Sequence, residues 1–237
     1  MNLSMYTAAA GSKAQQSRID VIANNLANLH TDGYRSQSAG FVDLLYQNYE
    51  AGITQDPDIG CGSRMEKTDI SFEPGTIQPT DGTYDFAING PGFFAIYDRA
   101  EEDVRYTRNG AFHLGDFGNG NFYLMDQNDN FVLDREMALI SLVGGNEGNH
   151  DLNIGVFDFI SKEGFLALGN NYYAPVEKSG QPFLRQDAQV LQGRLETANV
   201  DMANEMARVI ESQRAYQMTI KMINTSDEVE QTINNLR

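Results

Sequence analysis

Asp20-Val21-Ile22-Ala23-Asn24-Asn25-Leu26-Ala27-Asn28-Leu29-His30-Thr31-Asp32-Gly33-Tyr34-Arg35 is the stretch whose reading decides the fold. Asparagine weakens helices because its amide competes for backbone hydrogen bonds, yet three asparagines stand here inside a helical pattern. At about 100° per residue, Ile19, Ile22, Leu26 and Leu29 share one face, and Asn24, Asn25 and Asn28 line one edge of it. The pattern predicts a helix made for a specific helix–helix contact. It extends back to about Leu3 through the favourable Ala8-Ala9-Ala10, and His30 to Gly33 ends it, with Gly33 as a left-handed stop.

At the other end, the chain from about Val190 reads as helical, with no glycine after Gly193 and no proline after Pro182. Leu195, Asn199, Met202, Met206, Val209, Gln213, Arg214, Tyr216, Ile220 and Ile223 fall on its expected contact surface; Val229, Ile233 and Leu236 continue the apolar stripe after a phase slip. A helix of about 40 residues spans about 60 Å, too long to bury within one domain of this size. It therefore seeks another helix: the N-terminal stripe within the chain, or neighbouring copies.

Between these ends, glycine is dense and aromatic or β-branched residues alternate with polar ones. Asp85–Asn89 and Phe93–Tyr97 read as neighbouring strands joined through Gly90-Pro91-Gly92, followed by strands at Arg105–Arg108, Phe112–Leu114, Asn121–Met125, Phe131–Leu133, Leu152–Phe159 and Phe183–Leu184. Such a series predicts an all-β meander, sandwich or barrel. Phe41-Val42-Asp43-Leu44-Leu45-Tyr46 fits a last helical piece or an extended segment equally well. The fold class expected is α+β: long terminal helices pairing as a coiled coil around a central all-β domain. The divisions are 1–40, an extended connection at 41–78, a β domain at 79–188 and a helix at 189–237.

The net charge of −16 argues against a nucleic-acid partner, whose phosphates require clustered Lys and Arg, and against adhesion to an anionic membrane. The N-terminus lacks a basic region followed by a long apolar run, so no cleavable secretory signal is read, and no apolar run is long enough to span a bilayer. Cys61 stands alone, which leaves no intramolecular disulfide and no cysteine-based metal site.

Motifs for chemistry fail on inspection, so no catalytic, cofactor or metal residue is assigned. Asp126-x-Asn128-x-Asn130 opens like a calcium loop, but Phe131 replaces the required glycine and Met137 the terminal glutamate; a plain turn fits better. His30, His113 and His150 have no ligand spacing, and Gly60-x-Gly62 and Gly118-x-Gly120 lack the strand-to-helix setting of a dinucleotide site. Aromatic density around Phe93, Phe94, Phe122 and Tyr123 admits a second reading, a β module that grips a cell-wall or sheath component; buried aromatics with no adjoining pocket argue against it.

The quoted stretch resembles the N-terminal signature of bacterial flagellar rod, hook and hook-associated axial proteins. Phe41-x-Asp43-Leu44-Leu45-Tyr46-Gln47 is similar to its continuation in distal-rod members. Asp85-x-Ala87-Ile88-x-Gly90-x-Gly92-Phe93-Phe94 with Tyr106-Thr107-Arg108-Asn109-Gly110-x-Phe112 resembles the family's central signature. Gln192-Gly193-x-Leu195-Glu196-x-Ala198-Asn199-Val200-Asp201, with Gln213-Arg214-Ala215-Tyr216, resembles the C-terminal one. The resemblance implies a non-enzymatic subunit of the flagellar basal body, exported by the type III apparatus without a cleaved signal. It implies assembly with copies of itself and with other rod and hook proteins through paired terminal helices. Asn24, Asn25 and Asn28 would then face neighbouring subunits. Distal-rod members match best, with proximal-rod or hook-basal-body paralogues next, because the stretches from Tyr46 to Gly75 and after Val132 are short and Tyr84 stands where leucine is usual.

Overall fold

The computed structural model describes residues 3–44, 46–48, 58–60, 62–116, 121–143, 152–162 and 164–236. Leu45, Cys61, Gly118, Gly120 and His150, singled out above, lie outside the described residues, as do the side chains of Tyr46 and Gln47. The chain forms two compact units, one of Met1–Ala27, Gln37–Ser71 and Asp201–Arg237, the other of Asn28–Ser36 and Phe72–Val200.

In the helical unit, α1 (Leu3–Ala27) pairs with α2 (Met202–Asn235). Ser4 meets Ser226, Ser12 meets Thr219 and Arg18 meets Glu211, so the helices run antiparallel. Strands Gln37–Asp43 and Ser63–Ile70 form an antiparallel pair that packs on α1. The segment around Phe41 is thus extended.

The C-terminal helix begins later than the sequence reading places it. Gln189–Gln192 and Arg194–Glu196 are strands, separated by Gly193 in a left-handed turn (φ 66°). They pair with Phe86–Asn89 and Ile77–Pro79 respectively. Asp201 then caps α2, its carboxylate accepting from the backbone N–H groups of Ala203 and Asn204 at 3.0 and 3.4 Å. With 34 residues α2 is about 51 Å long.

In the β unit, Phe93–Asp98 is the central strand. Asp103–Thr107 pairs with it on one side, and Phe131–Val132 and Val156–Asp158 on the other. Tyr172–Ala174 and then Leu166–Gly169 extend the sheet to one edge; Asn121–Met125 and Ser141–Val143 extend it to the other. The expected pairing of 85–89 with 93–97 does not form. Gly90 and Gly92 (φ 120° and 126°) carry the chain away, and Phe86–Asn89 takes Gln189–Gln192 as its partner. Phe86, Ile88, Phe94, Ile96, Phe112, Leu124, Val132, Ile154 and Val156 form one buried cluster. Around Phe93 lie Phe72 and Phe165, edge to face, and Tyr173, tilted, with ring centroids 5.3 to 6.0 Å from it.

Candidate assembly interface

The α1–α2 seam alternates small and polar groups with a few larger apolar ones. Residues 205, 209, 212, 216, 219, 223 and 226 follow alternating steps of four and three along α2; Glu205 and Ser212 are buried and the others half-buried. On α1 the buried apolar positions are Ala8, Ala14 and Ile22. Ser12 donates to the Ala8 carbonyl at 3.0 Å and bonds the Thr219 hydroxyl at 2.9 Å. A Cβ on Gly11 would lie 3.5 Å from Thr219 Cγ2, so the two helices touch closely there. Gln15 Oε1, Ser212 Oγ and Glu205 Oε2 are buried with no hydrogen-bond partner among the described residues.

This seam corrects the expected phase of the C-terminal stripe. Val209, Tyr216, Ile220 and Ile223 are half-buried, but Met202 is 51% and Met206 43% exposed, and Gln213 and Arg214 face outward. Ile210, Met218, Met222, Val229 and Ile233 are exposed as well. Many of the large apolar side chains therefore stay exposed, while Glu205, Ser212, Thr219 and Ser226 share the intramolecular seam with Val209, Tyr216 and Ile223. Leu195 and Asn199 are not on the helix: Leu195 is in a strand and Asn199 in the connection, both in the β unit.

The asparagine edge also divides. Asn25 is fully buried, and its amide makes a paired contact with Gln37, donating to the carbonyl and accepting from the N–H, both at 2.8 Å. That amide is spent within the chain, tying α1 to the first strand, where sequence reasoning had it facing a neighbour. Asn24 is exposed, and Asn28 accepts from the Thr31 hydroxyl at 3.2 Å. Ile19 and Leu26 are half-buried on α1, while Asn28, Leu29, Gly33 and Tyr34 belong to the β unit.

Inside the β unit, the three signature stretches meet in a clasp. Arg35 Nη2 donates to Glu196 Oε1 at 2.7 Å and Arg108 Nη1 to Glu196 Oε2 at 3.0 Å, all three side chains being at most 3% exposed. Further donors and acceptors complete it. Gly75 N–H donates to the same Oε1 at 2.7 Å, Arg35 Nη1 to the Glu73 carbonyl at 2.6 Å, and Arg108 to the carbonyls of Ile88 and Gly90. Both Nε atoms have no partner among the described residues. Burial, which Glu196 opposes and Arg35 reinforces, pushes the Arg108 guanidinium down to about 10. Gly33 stands above the clasp with φ 70°; it donates to the Glu196 carbonyl at 2.7 Å, and a Cβ there would fall 2.6 Å from the Arg108 carbonyl carbon. None of the three charged residues was singled out as a site residue from the sequence. The signal available was an Arg or a Glu within each of the three signature stretches.

The Asp126 loop is a closed turn. Its carboxylate accepts the N–H groups of Asn128 and Asn130 at 2.9 and 3.0 Å and the hydroxyl of Tyr172. Phe93 and Phe94 are core residues, at 1% and 0% exposure. A cleft of about 560 Å³ is lined by Arg135, Asn153, Ile154 and Gln189–Leu191, with no aromatic side chain on it. Two of the four aromatic side chains that suggested a gripping module are thus core, while Phe122 and Tyr123 are half-buried. No described helix is long and apolar enough to cross a membrane.

Three family profiles match in chain order: the flagella basal body rod protein over residues 5–35, the flagellar hook protein FlgE/F/G D1 domain over 87–154, and the flagellar basal body rod FlgEFG protein C-terminal region over 191–236. Arg35, Arg108 and Glu196 fall one in each. The chain is 31% identical to flagellar basal-body rod protein FlgG of Buchnera aphidicola from Schizaphis graminum, over 98% of this chain and 99% of that protein. It is 32% identical to FlgG of Borreliella burgdorferi, covering 100% and 99%. To the flagellar hook-basal body complex protein FlhP of Bacillus subtilis it is 28% identical, covering 99% of each. The chain belongs to the flagellar basal-body rod protein family. As a member it is a structural component of the basal body that assembles with other rod and hook proteins.

Proposed function

We propose that this subunit polymerises through its terminal helices into the distal part of the rod, reaching it through the type III export apparatus. The observation that carries self-assembly is the apolar surface that α2 leaves exposed on more than one of its faces. Met202, Met206, Ile210, Met218, Met222, Val229 and Ile233 stay exposed although α1 is already paired. Apolar surface yields about 25 cal/mol per Å² on burial, so a helix that leaves seven large side chains in water gains most from helices of neighbouring copies. Ile19, Ile22, Leu26 and Asn24 of α1, and Val209, Gln213, Arg214, Tyr216, Ile220 and Ile223 of α2, are proposed to set the geometry of that assembly. Similarity over the whole length of FlgG relatives supports the distal position. The comparable match to FlhP supports a second reading, a hook-basal-body paralogue.

Met222→Asp puts a charge into this exposed apolar surface without touching the α1 seam. The expected result is a folded monomer by circular dichroism and sedimentation that fails to restore rods to a deletion strain. Normal rods and motility in the deletion strain itself would sink the proposal. Imaging the assembled basal body with this chain located in it separates distal rod from paralogue, and retention of the chain in the cytoplasm of an export-deficient strain tests the route.

A further inference from the structure

Met202, Met206, Ile210, Arg214, Met218 and Met222 follow one another along α2 at unbroken steps of four, and all six are exposed. Side chains four apart are neighbours on a helix surface, so these six form a single ridge. Each step turns the ridge by about 40°, which carries it from one face of α2 to another. No carboxylate stands in it, in a chain of net charge −16. The seam positions Glu205, Val209, Ser212, Tyr216, Thr219 and Ile223 are not part of it.

Four of the nine methionines of the chain stand on this ridge, with exposures of 43% to 65%. Leucine or isoleucine would supply comparable apolar surface at the same positions; methionine adds a thioether that oxidants attack. With one cysteine in the chain, thioethers are its most numerous peroxide-reactive groups. The molecule holds its own comparison. Met125 is 5% exposed, its sulfur packed against Gly115, and Met65 is half-buried. Met5 on α1 and Met137 in a turn of the β unit are exposed away from the ridge.

We infer that this ridge is a redox-sensitive modification site: oxidants of the hydroperoxide class convert Met202, Met206, Met218 and Met222 to sulfoxides in the free subunit and so block its assembly, reversibly. The inference rests on the helix-mediated assembly proposed above. The thioether sulfur attacks one peroxide oxygen; an S–O bond forms as the O–O bond breaks, the sulfur gives up two electrons, and after proton transfer the rest of hydrogen peroxide leaves as water. The product carries a strong hydrogen-bond acceptor where the ridge offered apolar surface, and burying that acceptor unpaired is unfavourable. The seam keeps its own side chains, so the monomer stays folded. Hydrogen peroxide added to the full chain should oxidise these four methionines before Met65 and Met125, read by peptide mass spectrometry, and leave circular dichroism unchanged. The concentration needed for polymerisation should rise at least about tenfold. Preformed polymer should be protected at the same four positions. Methionine sulfoxide reductase with dithiothreitol should restore polymerisation, and dithiothreitol alone should not. Met202→Leu, Met206→Leu, Met218→Leu and Met222→Leu together should give a peroxide-resistant chain. Met5→Leu with Met137→Leu should leave the sensitivity unchanged, and this pair serves if the fourfold variant fails to fold. An oxidised chain that polymerises like the untreated one, ridge methionines that react as fast in the polymer, recovery with dithiothreitol alone, or resistance conferred by the Met5 and Met137 pair overturns the inference. Failure of the rod reading would instead show as no polymer from the untreated chain, and the peptide map of the monomer then decides whether the four thioethers react first.

Discussion

Between Ser12 and Thr219 the helical unit joins its helices through hydroxyls 2.9 Å apart, whereas the β unit closes around Phe94, Ile96 and Leu124, none of which is exposed at all. The helical seam buries Ser212, Gln15 and Glu205 atoms with no partner among the described residues, and leaves methionines and isoleucines in water. The β unit buries its large apolar side chains and surrounds its charged core with hydrogen bonds from both chemical ends. One unit buries its main apolar cluster with its own residues. The other has its strongest apolar surface still to bury, as expected of a device completed by neighbours.

The largest test of that contrast is Glu196→Gln. Removing the carboxylate leaves two buried guanidinium groups without their counter-charge, at a cost of about 3–5 kcal/mol. Denaturant unfolding monitored by tyrosine fluorescence should report that loss in the β unit, while α1–α2 helicity changes far less. A matching fall in both would show the units to be one cooperative body. Gly33→Ala comes next. A Cβ at φ 70° would also press on the Arg108 carbonyl carbon, so destabilisation above about 1 kcal/mol is expected in the same assay.

Alkali provides a third test. Burial pushes the hydroxyls of Tyr106, Tyr172 and Tyr173 up to about 12, from an ordinary value of 10.0. Their protonated forms are favoured by folding, so their contribution is complete below pH 10 and is lost as pH rises towards 12. Arg108 acts oppositely: its folded value of about 10 lies below the ordinary 12.5, so the cost of burying its charge is relieved over that range. Three groups outweigh one, and the melting temperature of the β unit should fall above pH 10, together with tyrosinate formation in an absorbance titration. The smallest effect belongs to Ser212→Ala. Deleting a buried, unpartnered hydroxyl should be neutral or stabilising by up to about 1 kcal/mol in the helical melt. A clear loss there would reveal a partner for Ser212 and weaken the picture of an unfinished seam.

Much of this organisation was legible in the sequence. The runs at Phe93–Asp98 and Asn121–Met125 are short aromatic and apolar stretches between turn residues and are strands, and Gly33 takes the left-handed conformation read for it, although the helix has already ended at Ala27. The start of α2 was misplaced because Val190 and Leu195 extend an apolar pattern that strands and helices share over short runs, although Gly193 and the capping Asp201 marked the true boundary. The seam phase was misread because hydrophobicity was taken as the sign of the inner face, and Ser212, Thr219 and Ser226 carry none. The partners of Asn25 and Glu196 were out of reach for a different reason. A hydrogen bond to the Gln37 backbone and an ion pair across 161 residues leave no periodic trace.

That separation has a consequence for how the chain becomes a protein. A loop of this length costs entropy to close, and the clasp returns nothing until its last member arrives. A fragment ending before residue 196 holds Arg35 and Arg108 without the Glu196 carboxylate that pairs with both, and without the strand that pairs with Ile77–Pro79. The β unit is therefore completed from its own C-terminal segment: residues 189–196 supply the last two strand pairings and the carboxylate that closes the clasp.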